Sequence, residues 1–97
     1  MESIARQRLE RLGLVLVRQH AVPGVGNVDL RVVGSNILID TDGFEFHSSP
    51  AQFAEDRRRD AEATVRGFVA LRFTALQVRD RWAWVERMVL AALAGVG

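Results

Sequence analysis

The sequence predicts a single α/β domain of the α+β kind, a mixed β-sheet of about four strands flanked by helices in the order α-β-β-β-α-β-α. Three observations carry this. The chain has 97 residues, enough for one hydrophobic core and too few for two. Its first half holds three β-like segments separated by glycine-rich turn signals. Its second half places an arginine-rich helical stretch before a further apolar strand, and a strand–helix–strand unit of that kind pairs its strands in parallel.

The elements follow in order. Residues Glu2 to Leu12 carry Ile4, Ala5, Leu9 and Leu12 at helical spacing with arginines between them, and Gly13 stands where a helix ends on a left-handed residue. Leu14 to Ala21, rich in Val and Leu, reads as a strand. Pro23 to Asn27 is a turn, and Val28 to Val33 a second strand. Gly34-Ser35-Asn36 suits a tight hairpin turn into a third strand, Ile37 to Asp42, apolar at first and then acidic. Gly43 to Pro50 is a connection. Ser49 is placed as an N-cap and Pro50 as the first helical residue of a helix that runs to about Arg66, with Phe53, Arg57, Ala61 and Thr64 along one side. Gly67 stops it. Phe68 to Phe73 is a fourth strand and Trp82 to Leu93 a final amphipathic helix.

Composition narrows the chemistry. With no cysteine, neither a disulfide frame nor a cysteine-ligated zinc or iron site is available. No apolar run reaches the roughly 20 residues needed to span a bilayer, and the N-terminus lacks a basic-then-apolar signal pattern, so a cytoplasmic location is expected by default. Net charge is only +1, which does not by itself point to nucleic acid. The distribution is more informative: all thirteen basic residues are arginine. Asp40 to His47 holds three acids and no base, whereas Arg57 to Arg87 holds eight arginines against four acids. An acidic pocket beside an arginine-rich half suits a phosphate ligand that also needs metal ions, and it equally suits an ordinary solvated surface.

Asp29 interrupts an apolar strand, and Asp40 and Asp42 lie two apart on one face of the next. If Gly34–Asn36 pairs these strands, Asp29 comes close to Asp40 and Asp42. Carboxylates gathered in a sheet repel one another, and a divalent cation with oxygen ligands relieves them. The alternative is that Asp42-Gly43 is a turn signal and Asp29 an exposed strand residue. His47 follows in the loop; its neutral-range pKa suits a general base or acid, with Asp56 as the carboxylate to orient it, and it also reads as a structural or exposed histidine. His20 reads as structural or exposed. The run Asp56-Arg57-Arg58-Arg59-Asp60 reads first as a solvated helix face; the alternative is that Arg57, which shares a side with Phe53 and Thr64, turns towards the sheet to meet a phosphate or a pocket acid. Phe44, Phe46, Trp82 and Trp84 read as core or rim residues first and base-stacking residues second.

Taken together, Asp29-Leu30, then Ile-Asp-Thr-Asp-Gly-Phe-Glu-Phe-His from Ile39, then Glu-Asp-Arg-Arg-Arg-Asp from Glu55, then Gly-Phe-Val-Ala-Leu-Arg-Phe-Thr from Gly67 resemble the very-short-patch-repair endonucleases. They resemble more closely still a bacterial domain-of-unknown-function family allied to them. Both belong to the restriction-endonuclease-like, PD-(D/E)XK, superfamily. The resemblance runs from Glu2 to about Val78 and extends into the last helix. It implies one restriction-endonuclease-like nuclease domain over residues 1–97 that hydrolyses DNA phosphodiester bonds with Mg²⁺ or Mn²⁺. It places Glu2 at the acidic position of the first helix and Asp29 at the metal-binding aspartate. Asp40 stands where relatives usually show glutamate, and Asp42 where the wider superfamily has lysine. His47 matches the histidine that activates water, and Asp56 the acid that supports it. Arg57, Arg58 and Arg72 are the expected nucleic-acid contacts.

The departures have consequences. With no lysine, proton transfer rests on His47 or on the metal. Asp40 is one methylene shorter than glutamate, and the absence of cysteine removes the structural zinc of the repair enzymes. Mismatch recognition does not carry over. The start at Glu2 suggests a minimal or trimmed member of a longer protein. Three readings follow: an active endonuclease, a catalytically weak or inactive nuclease-fold module that binds DNA or a protein partner, and a homodimer through Trp82, Val85, Met88, Val89 and Leu93 of the last helix.

Overall fold

Four strands form one sheet in sequence order: β1 (Leu16–Val22), β2 (Gly26–Val32), β3 (Ile37–Asp42) and β4 (Val69–Thr74). The computed structural model describes residues 1–42 and 49–95. β1–β2 and β2–β3 are antiparallel hairpins and β3–β4 is parallel, so the sheet is mixed as expected. The parallel pair is joined through helix α2 (Pro50–Val65), the crossover such a pair requires. Helix α1 (Glu2–Glu10) precedes the sheet, and α3 (Ala75–Asp80) and α4 (Trp82–Leu93) follow it.

Local signals explain most boundaries. After α1, Gly13 takes a φ of +88°, a conformation open to glycine and costly for other residues. At α2, the Ser49 side chain accepts a hydrogen bond from Gln52 N–H, with Pro50 opening the first turn. One helix was not anticipated. Thr74, the last residue of β4, also caps α3: its side chain accepts from Gln77 N–H at 3.1 Å, and Gln77 Oε1 accepts from Thr74 N–H at 3.0 Å. This reciprocal capping box turns the chain directly from strand into helix.

The main core lies on one side of the sheet. Leu30 and Val32 of β2, Ile37 and Ile39 of β3 and Phe73 of β4 are buried against Ala5 and Leu9 of α1, Val78 of α3 and Val85 and Val89 of α4. Arg8 ties α1 to this layer; its Nη1 donates to the Val78 carbonyl at 2.9 Å, and its guanidinium lies over the Trp82 ring at 5.2 Å. The apolar side of α4 is therefore engaged within the chain: Val85 and Val89 are buried, and Trp82, Met88 and Leu93 pack beside them. The residues named for a homodimer interface thus serve the core of the single chain.

A second, smaller cluster joins Val22, Val25, Val28 and Leu38 to Ala63, the one buried residue among the described residues of α2. The side of α2 that carries Phe53, Arg57, Ala61 and Thr64 faces solvent, and Arg57 lies over the Phe53 ring at 4.8 Å. The side turned to the sheet carries Asp56, Arg59 and Ala63 instead. The reason is that the sheet surface beneath the first half of α2 is acidic, so a polar face meets it, and apolar contact begins only at Ala63. Among the described residues no helix is long and apolar enough to cross a membrane.

Candidate functional site

The polar side of α2 and the acidic end of β3 enclose a cleft of about 280 Å³, lined by Asn27, Asp29, Asp40, Thr41, Asp42, Gln52, Asp56, Arg59 and Arg72. A larger groove of about 460 Å³ between β4 and α4 is lined by Asn36, Val69, Leu71, Met88, Ala91, Ala92 and Gly95 and carries no ionisable side chain. The chemistry lies in the smaller one.

The cleft opens because β2 and β3 stop pairing where the acids begin. Their backbone pairing includes Leu30 with Ile39 and Arg31 with Leu38, so Asp29 and Asp40 stand opposite each other just past it. There side chains replace the ladder. Asp40 Oδ1 accepts from Asp29 N–H at 3.0 Å. Asp29 Oδ2 accepts from Thr41 N–H at 2.8 Å and from Thr41 Oγ1 at 3.2 Å. The two carboxylates are thus fixed in place by the backbone of the strands they bridge.

Two arginines supply opposite charge. Arg59 Nη2 lies 3.4 Å from Asp40 Oδ2 and donates to the Asn27 carbonyl at 2.6 Å. Arg72, beside Asp40 in the parallel register, places Nη1 3.5 Å from Asp42 and 3.4 Å from Asp56, and Nη2 3.9 Å from Asp40. Asp56 also accepts from Gln52 Nε2 at 3.0 Å. Four carboxylates therefore face two guanidiniums, a formal excess of two negative charges. The deficit shows at Asp40. Burial pushes its carboxyl above the ordinary value, and the Asp29 charge adds to this, while the hydrogen bond from Asp29 N–H and the two arginines pull the other way without cancelling it.

This donor set suits a hard divalent cation, which takes oxygen ligands and would balance the excess charge. Asp29, Asp40 and Asp42, the three acids named from the sequence, all line this cleft. Among the described residues no three acidic or histidine side chains are already gathered to hold an ion. Asp29 turns its Oδ2 to the Thr41 backbone and Asp42 turns to Arg72, so the acids share a cleft and do not yet share an ion's ligand shell.

The remaining predicted residues fall as follows. Asp56 lines the cleft. His47 lies outside the described residues. Glu2 is not among the lining residues; its carboxylate meets Arg18 Nε at 3.1 Å. Arg72 lines the cleft, Arg57 faces solvent over Phe53, and Arg58 donates to the Gly24 carbonyl at 2.9 Å and pairs with Glu55. Sequence reasoning missed Arg59, Asn27 and Gln52. Arg59 had a usable signal, since it lies three residues after Asp56 and four before Ala63 and so shares their side of α2.

Comparison with solved structures finds the same fold in a homing endonuclease. The catalytic domain of homing endonuclease I-Bth0305I superposes with a TM-score of 0.78 over 99% of this chain and 96% of that one, at 19% sequence identity. The chain thus has the restriction-endonuclease-like fold expected of it. No protein-family model and no curated protein matches the sequence.

Proposed function

We propose that the chain is a metal-dependent endodeoxyribonuclease of the type the very-short-patch-repair endonucleases exemplify. The observation that supports this best is the charge balance of the cleft: four carboxylates against two arginines at the end of β3, in a fold shared with an endonuclease catalytic domain.

In this reading Asp29, Asp40 and Asp42 would hold one Mg²⁺ or Mn²⁺. An ion held there would supply Lewis-acid polarisation of the scissile phosphate. Asp29 keeps Asp40 and Thr41 in position through the backbone bonds described above. His47 takes a proton from the attacking water, oriented by Asp56 at the start of α2. Arg72 of β4 and Arg57 and Arg58 of α2 contact phosphates of the DNA strand. Glu2, paired with Arg18, acts from outside the cleft. The test is nicking of supercoiled plasmid in Mg²⁺ or Mn²⁺. Nicking that is lost in Asp29→Ala and in His47→Ala is the expected result; no nicking, or nicking unchanged in both variants, overturns the reading.

A second reading is supported by the arginines themselves. Arg72 already pairs with Asp42 and Asp56, as it would in a nuclease-fold module that binds DNA or a protein partner without cutting. Calorimetry with Mg²⁺ and Mn²⁺ separates the two: heat of binding supports the enzyme, and none supports the module.

A further inference from the structure

The two arginines of the cleft are held in different ways. Arg59 is anchored to the fold: it donates to the Asn27 carbonyl at 2.6 Å. Its Nε is buried without a hydrogen-bond partner among the described residues. A guanidinium gripping a backbone carbonyl stays in place when its carboxylate changes partner. Arg72 has no such anchor among its described contacts, which are all carboxylates, at 3.4, 3.5 and 3.9 Å. These are longer than the ~2.7–2.9 Å of a strong charge-assisted hydrogen bond. Its guanidinium nevertheless stands where Asp40, Asp42 and Asp56 face one another. Its side chain is 28% exposed, so it is within reach of solvent and of a ligand entering the cleft.

We propose that Arg72 is an internal counter-cation that competes with a divalent ion for Asp40 and Asp42 and, once displaced, binds a phosphate of the nucleic acid. This rests on the metal-dependent reading above and adds a coupling to it. In the free protein Arg72 occupies the acids and weakens ion binding. A DNA phosphate draws the guanidinium off the acids, so DNA and ion each favour the other, by equal factors as linkage requires. The cleft then takes its ion most readily when DNA is present.

The test is Mn²⁺ binding to the whole chain, by calorimetry, alone and with a phosphorothioate DNA duplex that resists hydrolysis. Arg72→Gln removes the charge and keeps much of the shape; Arg72→Lys keeps the charge. Because partly exposed ion pairs are individually weak, Arg72→Gln is expected to bind Mn²⁺ about threefold to tenfold tighter than the natural protein without DNA. Arg72→Lys is expected to stay close to the natural protein. The duplex is expected to tighten Mn²⁺ binding in the natural protein and much less in Arg72→Gln. Equal or weaker Mn²⁺ binding by folded Arg72→Gln overturns the inference and leaves the metal-dependent reading standing, as does an undiminished effect of the duplex. Failure of every variant to bind Mn²⁺ overturns both.

Discussion

Asp29 and Asp40 stand opposite each other one step beyond the last backbone pairing of β2 and β3, and Asp40 Oδ1 accepts the Asp29 N–H at 3.0 Å. Asp29 in turn accepts the Thr41 N–H at 2.8 Å. These carboxylates do structural work and carry charge at once, and substitutions can separate the two roles.

Asp29→Ala removes the acceptor of the Thr41 N–H and is expected to destabilise the fold by about 1–3 kcal/mol. Asp29→Asn keeps a side-chain carbonyl for that N–H and should recover most of the stability while losing the charge. Urea unfolding of both variants, beside a nicking assay, checks this. The expected pattern is a folded but inactive Asp29→Asn.

Asp40 predicts a pH dependence. Burial raises its folded-state pKa, so the folded chain holds that proton more tightly than the unfolded chain. The associated stability is fully present below the ordinary carboxylate value of about 3.9 and is lost as pH rises through the raised value. Asp40→Asn does not titrate. Measured in EDTA, its stability relative to the natural protein should therefore increase from about pH 3 towards neutrality and then level off.

Arginines two residues apart on α2 should behave differently. Arg57 is exposed over Phe53, so Arg57→Ala should leave stability nearly unchanged, weaken DNA binding and lower the salt slope of binding by about one. Arg59 bridges Asn27 and Asp40 across the cleft, so Arg59→Ala should lower stability by about 1–3 kcal/mol. Denaturation and salt-dependent DNA titrations test the contrast.

Thr74→Ala should cost about 0.5–2 kcal/mol, because it removes one half of the capping box that joins β4 to α3. Gln77→Ala should cost less. Neither change should alter Mn²⁺ binding, since neither residue lines the cleft.

How far the site could be read from sequence depended on which force set each position. The run Ile37-Leu38-Ile39 followed by Asp40-Thr41-Asp42 announces a buried strand with an acidic end, and that is how β3 is built. Ser49 and Pro50 announce the start of α2 for equally local reasons. The facing side of α2 was not legible by apolar periodicity, because the sheet beneath it is charged and selects Asp56 and Arg59 over Phe53. The signal for α3 was present and local: Thr74-Ala75-Leu76-Gln77 has the spacing of a capping box. The convergence of Arg72 on three acids depends on the parallel register of β3 and β4, and no local signal encodes it.

The most direct measurement is a crystal structure of the protein soaked in Mn²⁺, with anomalous scattering to locate the ion. A peak is expected in the cleft within about 2.0–2.6 Å of Asp40 and Asp42 oxygens, with the Arg72 guanidinium moved off both. A cleft without a peak at millimolar Mn²⁺, its arginines still on the acids, would contradict this expectation.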